Sequence, residues 1–135
     1  MKVLRGTVLI CGLACSAIAG AVDLDGSVPL QCTGLAGHDC DPAKAQCSKL
    51  KPETNVKPEM TIDLANKSIK TPYRTALLPI QNSVLNDEQL ALQGTDLKFA
   101  WSAVVNRQTG KLTVTIADRK GAYVIFGECK VAGAT

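Results

Sequence analysis

The sequence predicts a mainly β fold: a small antiparallel meander closing into a barrel or sandwich, with a cysteine-bearing N-terminal arm that has room for one short helix. Three features lead there. Apolar and polar residues alternate with period two from Glu59 onward. Tight-turn signals separate the alternating runs, as in Asn106-Arg107-Gln108-Thr109-Gly110 and Asp118-Arg119-Lys120-Gly121. Beyond residue 21 the cysteines are Cys32, Cys40, Cys47 and Cys129, an even set suited to two disulfides in an oxidising compartment.

Residues 1–21 read as a secretory signal peptide. Lys2 and Arg5 form a positive start, Val8 to Ala14 an apolar centre, and Ser16, Ala17, Ala19 and Ala21 a small-residue cleavage region. Cleavage after Ala19 or Ala21 leaves a protein starting at Gly20 or Val22. The apolar run is shorter than the roughly 18 residues that cross a bilayer, so no stable membrane span is expected after cleavage. Lipidation at Cys15 ranks second, because Gly12 stands where a lipoprotein signal usually carries Leu. Of 15 basic residues two belong to this leader, so the remainder carries 13 against 12 acidic ones. They are dispersed along the chain, which ranks nucleic acid low as a partner, since its binding needs a clustered positive face.

Residues 22–58 are expected to form the N-terminal arm, broken by Pro29, Gly34, Gly37, Pro42, Pro52 and Pro58. Asp41-Pro42-Ala43-Lys44 resembles a helix start, with Asp41 as N-cap and Pro42 in the first turn; Pro52 would end any helix. This bears on the disulfides. The favoured pairing is Cys32 to Cys129 with Cys40 to Cys47, which ties the arm to the last strand. A full helix after Cys40 would hold Cys40 and Cys47 roughly 10 Å apart, beyond disulfide reach. In that case Cys32 to Cys40 with Cys47 to Cys129 becomes the better arrangement.

Residues 59–135 are expected to be the meander, one domain with the arm. Met60, Ile62 and Leu64 alternate with Thr61 and Asp63, and Ile69, Thr71 and Tyr73 follow the turn at Ala65-Asn66-Lys67, which reads as a hairpin. Pro72 and Pro79 remove ladder donors, so Ile69 to Ile80 should hold edge strands or a bend. Leu90 and Leu92 form a strand after Asn86-Asp87-Glu88, with Gly94 closing it. Leu97, Phe99, Trp101, Ala103 and Val105 then share one strand face, and Leu112, Val114 and Ile116 share another. Ala122 to Cys129 is apolar on both faces and should lie in the interior of the sheet or under the N-terminal arm. Six or seven strands result.

No Gly-rich phosphate loop, Gly-x-Ser-x-Gly elbow or His-Glu-x-x-His pair is present. His38, the lone histidine, stands beside Asp39 and Cys40, but an oxidised Cys40 is inert as a nucleophile. The cysteine gaps do not match the close pairs of zinc motifs, so no metal site and no cofactor are expected. Asp63 with Asp87 or Glu88 could form a glycosidase pair, which sequence alone cannot place. Trp101 reads as core, given the apolar face it shares.

Asn106-Arg107-Gln108-Thr109-Gly110-Lys111-Leu112, together with Cys32-Thr33-Gly34 and Gly127-Glu128-Cys129, is similar to a pattern in small exported bacterial β-domain proteins of unknown function. Those carry an early Cys-x-Gly, an N/D-R-x-T-G hairpin and a C-terminal Gly-x-Cys. The resemblance implies export, periplasmic or beyond the cell, and a β fold, but supplies no activity. The expected function is therefore non-enzymatic binding, to a protein or an envelope component. Inhibition of a secreted hydrolase such as a lysozyme is the runner-up, and a small carboxylate-dependent enzyme stands third. A binder should expose an apolar patch, whereas an enzyme should gather polar groups in a concave site.

Overall fold

The computed structural model of the protein describes residues 23–51 and 54–134. The expected leader, including Cys15, lies outside them, as does Pro52. The described residues form a mainly β fold of ten strands: β1 (Leu30–Asp41), β2 (Gln46–Lys49), β3 (Glu59–Asp63), β4 (Ser68–Lys70), β5 (Leu78–Pro79), β6 (Asn82–Leu85), β7 (Gln89–Asp96), β8 (Phe99–Asn106), β9 (Lys111–Asp118) and β10 (Gly121–Val131). All pairings are antiparallel, in the order β5-β4-β3-β1-β10-β9-β8-β7-β6, with β2 also on β1.

This sheet curls into a barrel-like body. Its two ends, β5 and β6, are neighbours in the chain, and the link between them is hydrogen-bonded to both sides. Ile80 N–H donates to Lys67 C=O at 2.8 Å, and Gln81 N–H donates to Gln93 C=O at 2.9 Å. The prolines thus fall where the sheet turns over at its edge, as their missing donors require.

Alternation decides which side chains enter the barrel. Leu90 and Leu92 of β7, Trp101, Ala103 and Val105 of β8, and Leu112 and Val114 of β9 are buried together with Leu30, Ile62 and Ile69. Outward positions on β7, β8 and β9 are Ala, Ser, Thr, Val, Gln, Asn and Lys. Gly94 sits inside β7 instead of closing it, because it meets a crowded spot. A Cβ there would lie 2.5 Å from Pro79 C=O and 2.6 Å from the Trp101 ring, so only glycine admits the indole across the seam.

Three expectations are corrected. Within the expected arm, residues 30–41 form a long strand with Leu30 and Cys32 facing the core; one edge pairs β10 with a bulge at Leu35, and the other pairs β3 over residues 30–33 and β2 over residues 38–41. No helix follows Asp41. Its carboxylate accepts the Ala43 N–H at 2.9 Å, Ala45 takes a positive φ, and the chain reverses into β2. Leu97 does not share the inward face of β8; it occupies a two-residue turn between Asp96 and Phe99 and is fully exposed.

With a turn in place of a helix, Cys40 and Cys47 are direct cross-strand partners with Cα atoms 4.0 Å apart, and they are bridged. Cys32 and Cys129 are likewise opposite one another on β1 and β10 and form the second disulfide, inside the core.

Candidate binding surface

Antiparallel order sends successive connections to alternate ends of the barrel. One end carries the β1–β2 turn (residues 42–45), the β7–β8 turn (Leu97, Lys98) and the β9–β10 turn (Arg119, Lys120). The loop at residues 71–77 reaches the same end. Its Arg74 forms an ion pair with Asp96, the last residue of β7, and its guanidinium lies 5.3 Å from the centre of the Phe99 ring. That cation–π contact and ion pair lock the loop against the hairpin.

The lock leaves apolar side chains outside. Tyr73 is 58% exposed, Leu77 59% and Leu97 100%. Asp96 accepts the Leu97 N–H at 2.5 Å, and this bond, with Arg74 beside it, holds the Asp96 carboxyl below its ordinary value. Core packing does not account for a leucine there, since the side chain is fully exposed. Neither Leu97 nor Lys98 is left-handed, so the turn tolerates most side chains and does not itself call for an apolar one.

The opposite end is closed by the chain leading into β1. Leu24 is buried there, and Asp23 receives two bonds from Arg107, one of 3.0 Å from Nε. Arg107 also donates to the Asn86 carbonyl, and Asp23 raises the Arg107 pKa. The Asn106-to-Gly110 hairpin therefore works as a clasp: Asn106 caps the turn through the N–H groups of Gln108 and Thr109, and Gly110 C=O accepts the Cys129 N–H at 2.7 Å.

Other residues singled out in the sequence have settled structural places. Trp101 is buried. His38 points outward from β1 and meets Phe126 edge to face at 6.2 Å. Its neighbour Cys40 is in a disulfide, so it is no thiolate. Asp63 caps its turn through Asn66, which lowers its pKa, and Asp87 and Glu88 occupy the β6–β7 turn near Arg107.

Two open clefts indent the described surface. One, of about 440 Å³, runs beside the Cys40–Cys47 bridge and Arg119; the other, of about 510 Å³, is lined by Asn55, Lys57, Glu59 and Lys70. The ionisable groups with clearly displaced pKa values, Asp25, Asp63, Asp96 and Arg107, line neither. Each of those shifts has a turn bond or an ion pair as its leading cause. Sequence reasoning missed Tyr73, Arg74 and Leu77 and misplaced Leu97. The available signal was Asp96, a good turn opener directly before Leu97.

The chain matches no protein-family model, no curated protein and no solved structure.

Proposed function

We propose that the protein is an exported, non-enzymatic binding module that engages a protein or envelope component through the end of the barrel bearing Tyr73, Leu77 and Leu97. The observation that carries this is the complete exposure of a leucine, Leu97, at a turn tip where a polar residue would serve the turn equally well. Export is supported by the two disulfides and by a leader-like start.

A pull-down of the processed protein and of Leu97→Asp from envelope and medium fractions, read by mass spectrometry, tests it. A partner held by the wild type and lost from the variant is expected. Identical recoveries for the two proteins, or none for either, would overturn it.

The hairpin also favours a second reading, inhibition of a secreted hydrolase such as a lysozyme. A narrow two-residue tip with an apolar side chain is shaped to enter an active-site cleft. Lysis assays with added processed protein separate this from simple docking.

A further inference from the structure

The charges of the barrel are distributed by end. Lys98, Arg119 and Lys120 occupy turn tips at the Leu97 end and make no ion pair among the described residues. The acids at the strand termini of that end are set back and engaged, while Asp39, two residues before Asp41 on β1, is exposed and makes no ion pair among the described residues. Asp41 takes the Ala43 N–H and Lys44, Asp96 takes Arg74, and Asp118 takes the N–H groups of Lys120 and Gly121. The opposite end presents Asp23, Asp25, Asp87 and Glu88 around Arg107, and also carries Asp63 and Lys67 of the β3–β4 turn, the Lys111–Glu128 pair and Lys130. The molecule is thus polarised along its axis, although the described part is nearly neutral.

Cations at the Leu97 end are spread over separate turns. They have long side chains and no shared geometry that would grip one compact anion. Such an arrangement suits a diffuse field of negative charge, as at a membrane surface. Leu97, flanked by the half-exposed Tyr73 and Leu77, needs only an apolar phase to enter, not a shaped pocket. Aliphatic and tyrosyl side chains beside lysine are the composition that partitions into the headgroup boundary of a bilayer.

We propose that the basic end of the barrel docks on an anionic lipid surface, with Leu97 inserted between headgroups and Lys98, Arg119 and Lys120 over the lipid phosphates. The proposal rests on the reading of this end as the binding surface and names its partner. An acidic protein is the competing occupant.

The test is co-sedimentation of the processed, disulfide-bonded protein with vesicles of phosphatidylglycerol mixed with phosphatidylcholine, and with phosphatidylcholine alone. Binding to the mixed vesicles only, weakening as salt is raised, is expected. Each cation near an anionic surface contributes about fivefold to partitioning, so Lys98→Glu should weaken binding by at least about tenfold. Leu97→Asp should do the same. Lys130→Glu, on the exposed outward side of β10 towards the other end, makes the same change in net charge and should leave binding nearly unaltered. Unchanged Trp101 fluorescence establishes that each variant is folded. No sedimentation with the anionic vesicles, or sedimentation that survives both Leu97→Asp and Lys98→Glu, overturns the proposal. If the vesicles fail while a Leu97-dependent protein partner is recovered, the lipid inference alone falls; if both fail, the binding surface falls with it.

Discussion

Arg107 and Gly110 lie three positions apart in one hairpin and do different work. Gly110 has φ of 72°, and a Cβ there would sit 2.5 Å from the Cys129 carbonyl, which is backbone held in the β10 ladder. Gly110→Ala therefore pairs a left-handed strain of about 1–2 kcal/mol with a displaced strand. Arg107 is largely covered, but the Asp23 carboxylate it grips is more than half exposed, so water and salt compete for that charge. Thermal melts should show Gly110→Ala lowering the midpoint more than Arg107→Ala; the reverse order would assign Arg107 a larger part than the clasp. Carboxylates act at the same scale. Asp25, Asp63 and Asp96 are held below the ordinary 3.8 chiefly by hydrogen bonds from Ser27, Asn66 and the Leu97 N–H, respectively. A depressed folded-state value means that the unfolded chain takes up protons first as the solution is acidified. Their stabilisation is complete well above pH 3.8 and is lost as pH falls through the lower folded values. Urea midpoints measured from pH 6 down to about pH 2 should fall on the acid side, and Asp63→Asn should flatten that fall. An unchanged acid limb in the variant would remove Asp63 from the account.

Among the elements, β1 has the widest duties, since it pairs β10 along its length and β3 and β2 in turn on the other edge. The two disulfides fasten it with unequal effect. Cys32–Cys129 spans 97 residues and is buried, whereas Cys40–Cys47 spans 7 and holds a strand whose four residues are all exposed. In the chain-entropy model closing the long loop contributes about 4–5 kcal/mol and the short one about 2–3 kcal/mol. Replacing Cys32 and Cys129 by Ala should therefore lower the urea midpoint more than replacing Cys40 and Cys47. Hydrogen exchange should distinguish them further: without the Cys40–Cys47 bridge, the amides of β2 lose protection while β8 and β9 keep theirs. Loss of protection throughout the sheet would show that β2 is part of the global unit.

At the level of the whole molecule, most large apolar residues fill the barrel; of those left outside, Leu35, Val84 and Leu85 lie on strands of its wall, and Leu97, at the turn end, is the most exposed. Leu90, Leu92 and Leu112 are at most 2% exposed, and Leu97 is fully exposed, so the same residue type should respond in opposite ways. Leu92→Ala removes buried methyl groups and should cost about 2–5 kcal/mol. Leu97→Asp should change stability by less than about 0.5 kcal/mol, because nothing packs on that side chain. The single tryptophan, Trp101, is buried beside Gly94 and reports both melts by fluorescence. A large loss of stability in Leu97→Asp would give the side chain a structural role and remove the reason to place binding there.

Alternation and turn chemistry determined much of this protein locally. Met60 to Leu64, Leu112 to Ile116 and the capped turns at Asn106 and Asp118 are legible because period-two patterning and Asx hydrogen bonds act over a few residues. Strand β6 was not legible, since Asn82-Ser83-Val84-Leu85 has no buried face and exists only because β7 offers it an edge. The stretch after Leu30 was illegible for a related reason. A strand paired on both edges need not alternate, and Gly34 and Gly37 look like breakers until β10 and the neighbouring chain close over them. Asp41-Pro42 fits a helix start as well as a turn, and pairing of Cys40 with Cys47 across β1 and β2 selects the turn. The candidate surface was the least legible part. Tyr73, Arg74, Leu77 and Leu97 are separated by up to 24 positions, and only the Arg74–Asp96 ion pair and the curl of the sheet bring them to one end. Sequence specified which segments could be strands; long-range pairing decided which apolar residues the barrel enclosed and which it left outside.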